Sequence, residues 1–222
     1  MNNTNENPDY KQSLETSKSM LRLLEDTYPD AHCELNFSNP FELLIATILS
    51  AQATDKKVNQ ITERLFRYYK TPEDFLTLSL SEMEKAIKEI GLYHNKAKNI
   101  LATCRILVEK FAGEVPHDFQ ALTELPGVGR KTANVVLSNA FGVPALAVDT
   151  HVLRVSNRLG LAIGTNPDSI EKQLMSLIPR EKWSHAHHLL IWHGRRTCAA
   201  RNPRCQDCTL LCLCPSANLE PQ

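Results

Sequence analysis

The organisation of the chain is clearest at Leu125-Pro126-Gly127-Val128-Gly129-Arg130-Lys131. Pro126 and Gly127 end one helical pattern, and a helix rich in small and apolar residues starts near Lys131. Two glycines on either side of one apolar residue permit a tight hairpin with positive φ angles, and Val128 can then be buried between the two helices. These residues therefore predict two helices joined by a short hairpin.

The same hairpin has the chemistry of an anion-binding site. The backbone N–H groups of Gly127, Val128 and Gly129 should point outward at the N-terminus of the second helix, where the helix dipole favours negative charge. Arg130 and Lys131 add positive charge at the same place. A plain helix–turn–helix corner uses the same turn chemistry, but the complete run of residues favours a hairpin that binds a phosphate.

Apolar residues recur at helical spacing on both sides of the hairpin. Helices are predicted from about residue 12, over 41–49, after Thr54 or Asp55, and over 131–141, 150–159, 169–178 and 184–197. Convincing alternating strands are absent from the sequence, and the best strand candidate, 143–148, is short and contains Pro144. The pattern predicts an all-α protein of roughly ten short helices.

Capping residues mark several helix boundaries. Pro72 stands where a first helical turn tolerates proline. Ser81, followed three residues later by Glu84, predicts a capping box. Gly113 predicts the end of a long helix. These signals divide the chain into helices with short connections.

Composition limits the class of protein. The 222 residues contain 25 Lys+Arg and 25 Asp+Glu, and the resulting net charge of zero argues against a protein that coats nucleic acid through charge alone. Positive charge is nevertheless concentrated between Trp183 and Gln206, where four arginines and four histidines occur without an acid. Since no apolar run could span a bilayer and no secretory signal is visible, we expect a soluble, intracellular protein.

Five of the seven cysteines lie between Cys198 and Cys214. Cys198, Cys205, Cys208 and Cys214 follow the spacing C-x6-C-x2-C-x5-C, and four thiolates within seventeen residues can enclose one metal centre. The spacing matches neither the common zinc patterns nor the bacterial ferredoxin run. Both zinc and a [4Fe–4S] cluster therefore stay open, and so does Cys212 as an alternative ligand.

Lys131 and Asp149 are candidate catalytic residues. The positive end of the predicted helix disfavours an ammonium at Lys131, which would make its amine a usable nucleophile, whereas Asp149 would oppose this effect if it lies close by. Asp149 directly precedes another predicted helix, where an aspartate is commonly an N-cap but can also face a cleft, stabilise charge or transfer a proton. Taken singly, they could be a surface lysine and an ordinary cap, so the pair gains weight only from its surroundings.

Several motifs, in their order along the chain, resemble the endonuclease III family, the bifunctional DNA glycosylases and AP lyases of the helix-hairpin-helix superfamily. The resemblance extends from about Lys18 to Cys214. It is carried by LSAQATD (49–55), GLY (91–93), LPGVGRKTAN (125–134), VDTH (148–151) and the cysteine loop. No single motif would suffice, whereas together and in this order they are highly specific.

The resemblance implies two helical domains with a DNA-binding cleft between them. One domain would consist of residues 1–32 and 144–222 and would carry the cysteine loop. The other, residues 33–143, would be a helical barrel that contains the helix-hairpin-helix motif. The cleft would bring Lys131 and Asp149 together from the two sides of the domain border.

The resemblance also implies a cofactor and a set of DNA contacts. The cofactor is a [4Fe–4S] cluster with ligands at Cys198, Cys205, Cys208 and Cys214, and with Cys212 as a bystander. The implied DNA-binding residues are Gln52, Leu92, Gly127, Val128, Gly129, His151, Arg201 and Arg204. Among them, the Gln52 and Leu92 side chains would fill the gap that a flipped-out nucleotide leaves in the duplex.

The implied reaction is base excision repair. Lys131 attacks the sugar C1′ and displaces the damaged base, while Asp149 stabilises the cationic sugar. The resulting Schiff base permits β-elimination, which cuts the strand 3′ to the lesion. Within the superfamily, the lysine together with the cluster loop implies oxidised pyrimidines as substrates. The partner would be damaged double-stranded DNA, and we expect a monomer in the cytoplasm, associated with the nucleoid and not with a membrane.

Two other interpretations stay open. The pyrimidine-dimer glycosylases of the same superfamily share the hairpin, the lysine and the aspartate, and differ in the damaged base that they accept. A non-catalytic DNA-binding module with a structural zinc would account for the hairpin and the cysteines. It would leave Lys131, Asp149, Gln52 and Leu92 without a common explanation.

Overall fold

The computed structural model describes residues 8–217, in which the regular structure consists of eleven α-helices and two short 3₁₀ turns. The helices are α1 (Pro8–Thr27), α2 (Pro40–Ser50), α3 (Asp55–Phe66), α4 (Pro72–Leu76), α5 (Leu80–Ile87), α6 (Tyr93–Phe111), α7 (Phe119–Thr123), α8 (Arg130–Phe141), α9 (Thr150–Leu159), α10 (Pro167–Leu177) and α11 (Trp183–Arg196). The 3₁₀ turns span Arg180–Lys182 and Leu211–Leu213. Since residues 8–217 contain no strand, the predicted all-α class is confirmed.

The chain forms two compact units. One unit is the continuous segment Cys33–Val143, which contains α2 to α8. The other is discontinuous, because it combines the described residues before Cys33 with those from Pro144 onward. It contains α1 and α9 to α11. None of the described helices is both long and apolar enough to cross a membrane.

The central helix of the continuous unit is α2. Every residue over Phe41–Leu49 is buried, and α3, α6 and α8 pack around the helix. Each fully buried aliphatic side chain contributes about 1.5–3 kcal/mol relative to an exposed one. Asn39 starts the helix by accepting the N–H of Glu42 at 2.9 Å, and Pro40 takes the first helical position, where no N–H is needed.

A separate apolar core holds the discontinuous unit together. Leu21 and Leu24 of α1 belong to the same buried cluster as Val152 and Val155 of α9 and Leu190 of α11. The α9 and α11 helices approach each other closely, since α11 carries a glycine, Gly194, at their contact. The core therefore joins the first helix of the chain to helices that follow it by more than a hundred residues.

The predicted capping box is displaced by two residues. Ser79 and Glu82, rather than Ser81 and Glu84, cap α5 reciprocally. The Ser79 side chain accepts the N–H of Glu82, while the Glu82 carboxylate accepts the N–H of Ser79 at 2.8 Å. The helix consequently begins at Leu80, and its buried residues are Met83 and Ile87.

The predicted starts of two other helices agree with the structure, whereas the predicted strand does not. Thr54 caps α3 as predicted, and Pro72 occupies the first turn of α4. The strand candidate 143–148 forms no strand, because no partner strand exists in the described part of the chain. Its residues 145–148 are buried instead as an irregular segment before α9.

Candidate functional site

The hairpin between α7 and α8 has the predicted conformation at one of its two glycines. Gly127 has a φ of +80°, and an added Cβ there would lie 2.9 Å from the Asn99 side chain. Gly129 instead has a φ of −92° and a ψ of −179°, so the expectation of a positive φ holds only for Gly127. Gly129 is the extended N-cap of α8, whose carbonyl accepts the N–H of Ala133 at 3.0 Å and so closes the first helical turn.

The hairpin is fixed from the inside and open on the outside. Val128 is only 5 % exposed, as predicted, but its N–H donates to the Leu125 carbonyl at 3.0 Å and so does not point outward as expected. The Thr103 hydroxyl donates to the Pro126 carbonyl at 2.9 Å. In the described structure no side chain caps the N-terminus of α8. Its first N–H groups, together with the helix dipole, can therefore bind an oxygen of a phosphate.

Arg130 and Lys131 occupy the first turn of α8, and both are exposed. The Arg130 guanidinium lies over the Phe119 ring at 5.2 Å from its centroid, which keeps its charge close to the hairpin. Lys131 thus presents a primary amine beside a backbone site for an anion.

Asp149 is the N-cap of α9, which was one of its two predicted roles. Its Oδ1 accepts the N–H of Val152 at 2.8 Å. The residue is half-buried, and a carboxylate has a second oxygen that this cap does not use. The cap therefore fixes the position of the carboxylate without using all of its capacity to stabilise charge or accept a proton.

His151 lies in the first turn of the same helix. Its Nδ1 is 3.2 Å from Nη2 of Arg154. Burial lowers the pKa of His151 below its ordinary value; Asp149 opposes this shift, and the charges of Arg154 and Arg195 reinforce it. This shift favours the neutral imidazole, which can offer DNA a hydrogen bond.

Gln52 and Leu92 share an uncommon backbone conformation. Their φ angles are 56° and 60°, in the left-handed region, which costs a residue other than glycine about 1–3 kcal/mol. Both residues are exposed, Leu92 to 56 %. An added Cβ at Gly91 would lie 3.9 Å from the Gln52 carbonyl oxygen, so the two loops are adjacent. The continuous unit thus presents an amide and an apolar side chain from neighbouring loops.

Four cysteines line one cavity of about 320 Å³. They are the four of the predicted ligand set, Cys198, Cys205, Cys208 and Cys214. Cys212 is exposed and does not line this cavity. Burial raises the pKa of the Cys208 and Cys214 thiols, and the neighbouring thiols raise it further. Within residues 8–217 no group of three or more His, Cys, Asp or Glu side chains is arranged to hold a single metal ion.

Two arginines of α9 that the sequence did not single out hold the cysteine loop. Arg154 donates through Nη2 to the carbonyls of Gly194 at 2.9 Å and Cys198 at 3.1 Å. Arg158 donates through Nη1 to the Ala199 carbonyl at 2.7 Å and to Sγ of Cys198 at 3.3 Å. Their i, i+4 spacing places both on one face of the helix, which is the signal that could have found them.

Arg201 and Arg204 lie on the segment between Cys198 and Cys205, and both are exposed. Arg204 also lines the cysteine cavity and donates to the carbonyl of Arg196 at the end of α11. Arg204 is thus held by the helix, whereas Arg201 is a surface residue. Their contacts with DNA stay a prediction.

The predicted site residues fall into local groups. In the continuous unit, Lys131 follows the hairpin directly, and Gln52 lies beside the loop of Leu92. In the discontinuous unit, Asp149 and His151 share the start of α9, and the four cysteines share one cavity. Lys131 and Asp149 belong to different units.

Comparison with known proteins identifies the family. The model of the HhH-GPD superfamily base excision DNA repair proteins matches residues 45–180. Endonuclease III of Bacillus subtilis (strain 168) is 53% identical over 203 residues, which cover 91% of this chain and 93% of the relative. Endonuclease III of Escherichia coli (strain K12) is 53% identical over 195 residues, covering 88% and 92%.

The fold of this chain is also similar to that of a solved structure. The structure of a trapped endonuclease III–DNA covalent intermediate matches this chain with a TM-score of 0.89 at 53% identity, covering 92% of this chain and 96% of the other. The resemblance inferred from the sequence motifs is therefore confirmed. The chain belongs to the endonuclease III family within the HhH-GPD superfamily of base excision DNA repair proteins.

Proposed function

We propose that the chain is a DNA glycosylase and AP lyase that removes oxidised pyrimidines from duplex DNA through Lys131. Membership of the endonuclease III family supports both activities. The observation that carries the assignment is the exposed amine of Lys131 in the first turn of a helix whose N-terminal amides are not capped by any side chain of residues 8–217. The amine is a nucleophile, and the amides beside it can bind the neighbouring phosphate. A covalent intermediate has been trapped between endonuclease III and DNA, and Lys131 is the amine that would form such a bond here.

The DNA contacts position the lesion before the chemistry starts. A base inside a duplex is inaccessible at C1′, so the nucleotide must be flipped out at a cost of a few kcal/mol. Gln52 and Leu92 fill the gap that it leaves. The amides around Gly127 and Gly129 hold a phosphate without reading sequence. His151, Arg201 and Arg204 add further contacts, and the protein acts as a monomer on the DNA of the nucleoid.

Base removal begins when Nζ of Lys131 attacks C1′. The glycosidic C–N bond breaks, and the base leaves with the bonding electrons and takes up a proton. Asp149 stabilises the positive charge on the sugar and assists proton transfer as the attacking amine loses one proton. Opening of the sugar ring gives a protonated imine between Nζ and C1′. Loss of a C2′ proton then expels the 3′ phosphate by cleavage of the C3′–O bond, and water hydrolyses the imine.

The cysteine cavity fits a [4Fe–4S] cluster better than a single zinc ion. Zinc would require all four sulfurs at about 2.3 Å from one ion, whereas these cysteines line a cavity of about 320 Å³. In a [4Fe–4S] cluster each thiolate binds a different iron atom, so the sulfurs lie farther apart. We therefore assign the cluster to Cys198, Cys205, Cys208 and Cys214. When bound, it cross-links the loop that carries Arg201 and Arg204.

The substrate can be tested by borohydride trapping with three duplexes of the same sequence. One contains a thymine glycol, one a pyrimidine dimer and one no damage. Borohydride reduces an imine to a stable amine, so we expect a covalent protein–DNA adduct with the thymine glycol duplex and none with undamaged DNA. An adduct with the dimer alone would assign the chain to the dimer glycosylases. DNA binding without any adduct would support the interpretation as a non-catalytic DNA-binding module.

The substitution Asp149→Asn should separate the capping role of this residue from its chemical role. Asparagine is as good an N-cap as aspartate, so the midpoint of thermal unfolding should change little. Loss of the negative charge should lower the single-turnover rate of base removal about a hundredfold. Asp149→Ala is the matched control, since it loses the cap as well and should also lower the unfolding midpoint. An asparagine variant with the wild-type rate would assign Asp149 to capping alone.

A further inference from the structure

Lys96 is a buried lysine whose ammonium binds two backbone carbonyls. It is the fourth residue of α6 and is 5 % exposed. Its Nζ donates to the Leu49 carbonyl at 2.9 Å and also to the Ala51 carbonyl. Among residues 8–217 no carboxylate lies within ion-pair distance of this ammonium. Its charge is balanced by carbonyl dipoles alone.

These carbonyls lie at the C-terminal end of α2, where the helix dipole is negative. The Ala51 carbonyl belongs to the peptide group that leads into Gln52. By holding that peptide group, Lys96 fixes the backbone immediately before the left-handed residue, whose φ is 56°. The ammonium therefore controls the direction in which Gln52 leaves the helix.

The backbone of Lys96 is tied to Leu92 as well. Its N–H donates to the Leu92 carbonyl at 3.1 Å and so closes the first turn of α6. Leu92 is the left-handed N-cap of this helix, and the adjacent Gly91 approaches the Gln52 carbonyl. One residue thus binds the backbone on both sides of the Gln52–Leu92 pair.

A buried ammonium is a costly way to satisfy the end of a helix. Burial lowers the pKa of Lys96, which shows that its charged form is partly desolvated. Helices commonly end with a glycine cap that satisfies the same carbonyls without burying a charge. The cost is explained if the ammonium holds the loop in a conformation that non-glycine residues do not favour.

We propose that Lys96 is a positioning residue for lesion recognition, whose ammonium and backbone amide hold Gln52 and Leu92 as one rigid pair for insertion into the DNA helix. The inference rests on the proposed function, because that function supplies the role of the pair. Lys96 does not touch the DNA itself. Without it, the two side chains would enter the duplex from loops that move independently.

The test compares Lys96→Met with Lys110→Met. Methionine keeps the length of the side chain and removes the donor and the charge. Lys110 is exposed in the last turn of the same helix, about 21 Å away along its axis, so its replacement removes an equal charge without touching either loop. Two reactions are measured in single turnover, base removal from a thymine glycol duplex and cleavage of an abasic site in single-stranded DNA. The second reaction uses single-stranded DNA, so it does not require Gln52 and Leu92 to fill a gap in a duplex.

We expect Lys96→Met to slow the duplex reaction about tenfold or more and to change the single-stranded reaction by less than about twofold. Lys110→Met should change neither rate. In a Gln52→Ala, Leu92→Ala background, Lys96→Met should have no further effect, because the side chains that it positions are gone. If Lys96→Met does not fold, Lys96→Arg should show a smaller loss that is again confined to the duplex.

Equal losses on both substrates would overturn the proposal, and so would a loss that persists in the double-alanine background. Either result would assign Lys96 to the stability of α6 alone. Failure of the proposed function looks different, because the wild-type protein would then form no borohydride adduct with the thymine glycol duplex. The two failures are therefore distinguishable in the same set of assays.

Discussion

Replacement of Lys131 with alanine is expected to abolish borohydride capture of thymine glycol DNA and to lower the rate of base removal about 10⁴-fold or more. Alanine has no amine, so no imine with C1′ can form. Lys131 is exposed in the first turn of α8, and alanine is a good helix former, so the free energy of unfolding should change by less than about 0.5 kcal/mol. Single-turnover kinetics and denaturing gels measure both the release of the base and the adduct.

The neighbouring residue provides the control for this experiment. Arg130→Ala removes one positive charge from the same turn of α8 but leaves the amine of Lys131 in place. We expect weaker DNA binding and an adduct that still forms once the DNA is saturating. The same adduct in Lys131→Ala would place the nucleophile elsewhere in the chain. A loss of the adduct in both variants would indicate that the charge of this turn, rather than the amine, is what matters.

Replacement of Cys208 with serine is expected to release iron, remove the broad visible absorption of the protein and lower its stability by several kcal/mol. The cysteine loop has little regular structure beyond the turn at Leu211–Leu213, so a bound metal centre would add cross-links to the hydrogen bonds that Arg154 and Arg158 make. Loss of the loop also releases Arg201 and Arg204, and we expect weaker binding to duplex DNA. Elemental analysis measures the iron, absorption spectra measure the visible absorption, and thermal unfolding measures the stability.

Cys212→Ser is the matched control, because Cys212 belongs to the same loop but is exposed and does not line the cavity. This variant should keep its iron, its spectrum and its unfolding midpoint. Iron loss in Cys212→Ser, with iron retained in Cys208→Ser, would overturn the assigned ligand set. Stoichiometric zinc in place of iron in the wild-type protein would support the zinc interpretation.

The displaced capping box shows what limits prediction of helix starts. The sequence from Ser79 to Glu84 contains two overlapping Ser-x-x-Glu patterns, two residues apart. Either pattern satisfies the capping rule locally. The choice depends on how the whole segment packs, with Met83 and Ile87 of α5 buried in the core. That core is formed by residues distant in sequence, so a local rule could not decide.

The conformations of Gln52 and Leu92 lay beyond sequence reasoning for a different reason. Neither glutamine nor leucine favours the left-handed region, whereas a positive φ at Gly127 could be predicted because the residue is a glycine. The motifs predicted that Gln52 and Leu92 matter but not how they are held. The restraint comes from Lys96, whose sequence context is that of an ordinary helical lysine. Long-range hydrogen bonds of this kind leave no periodic signal.

The discontinuous unit affects how the protein folds while it is being synthesised. The apolar face of α1, with Leu21 and Leu24, packs against α9 and α11, which leave the ribosome more than a hundred residues later. At about 5–20 residues per second this delay is roughly 5–20 s. Most of the stability of a helix in a protein comes from tertiary packing of its apolar face, which α1 lacks until those helices are made. The helix α1 therefore spends these seconds of synthesis without its partners, and in this period chaperones and proteases have access to it.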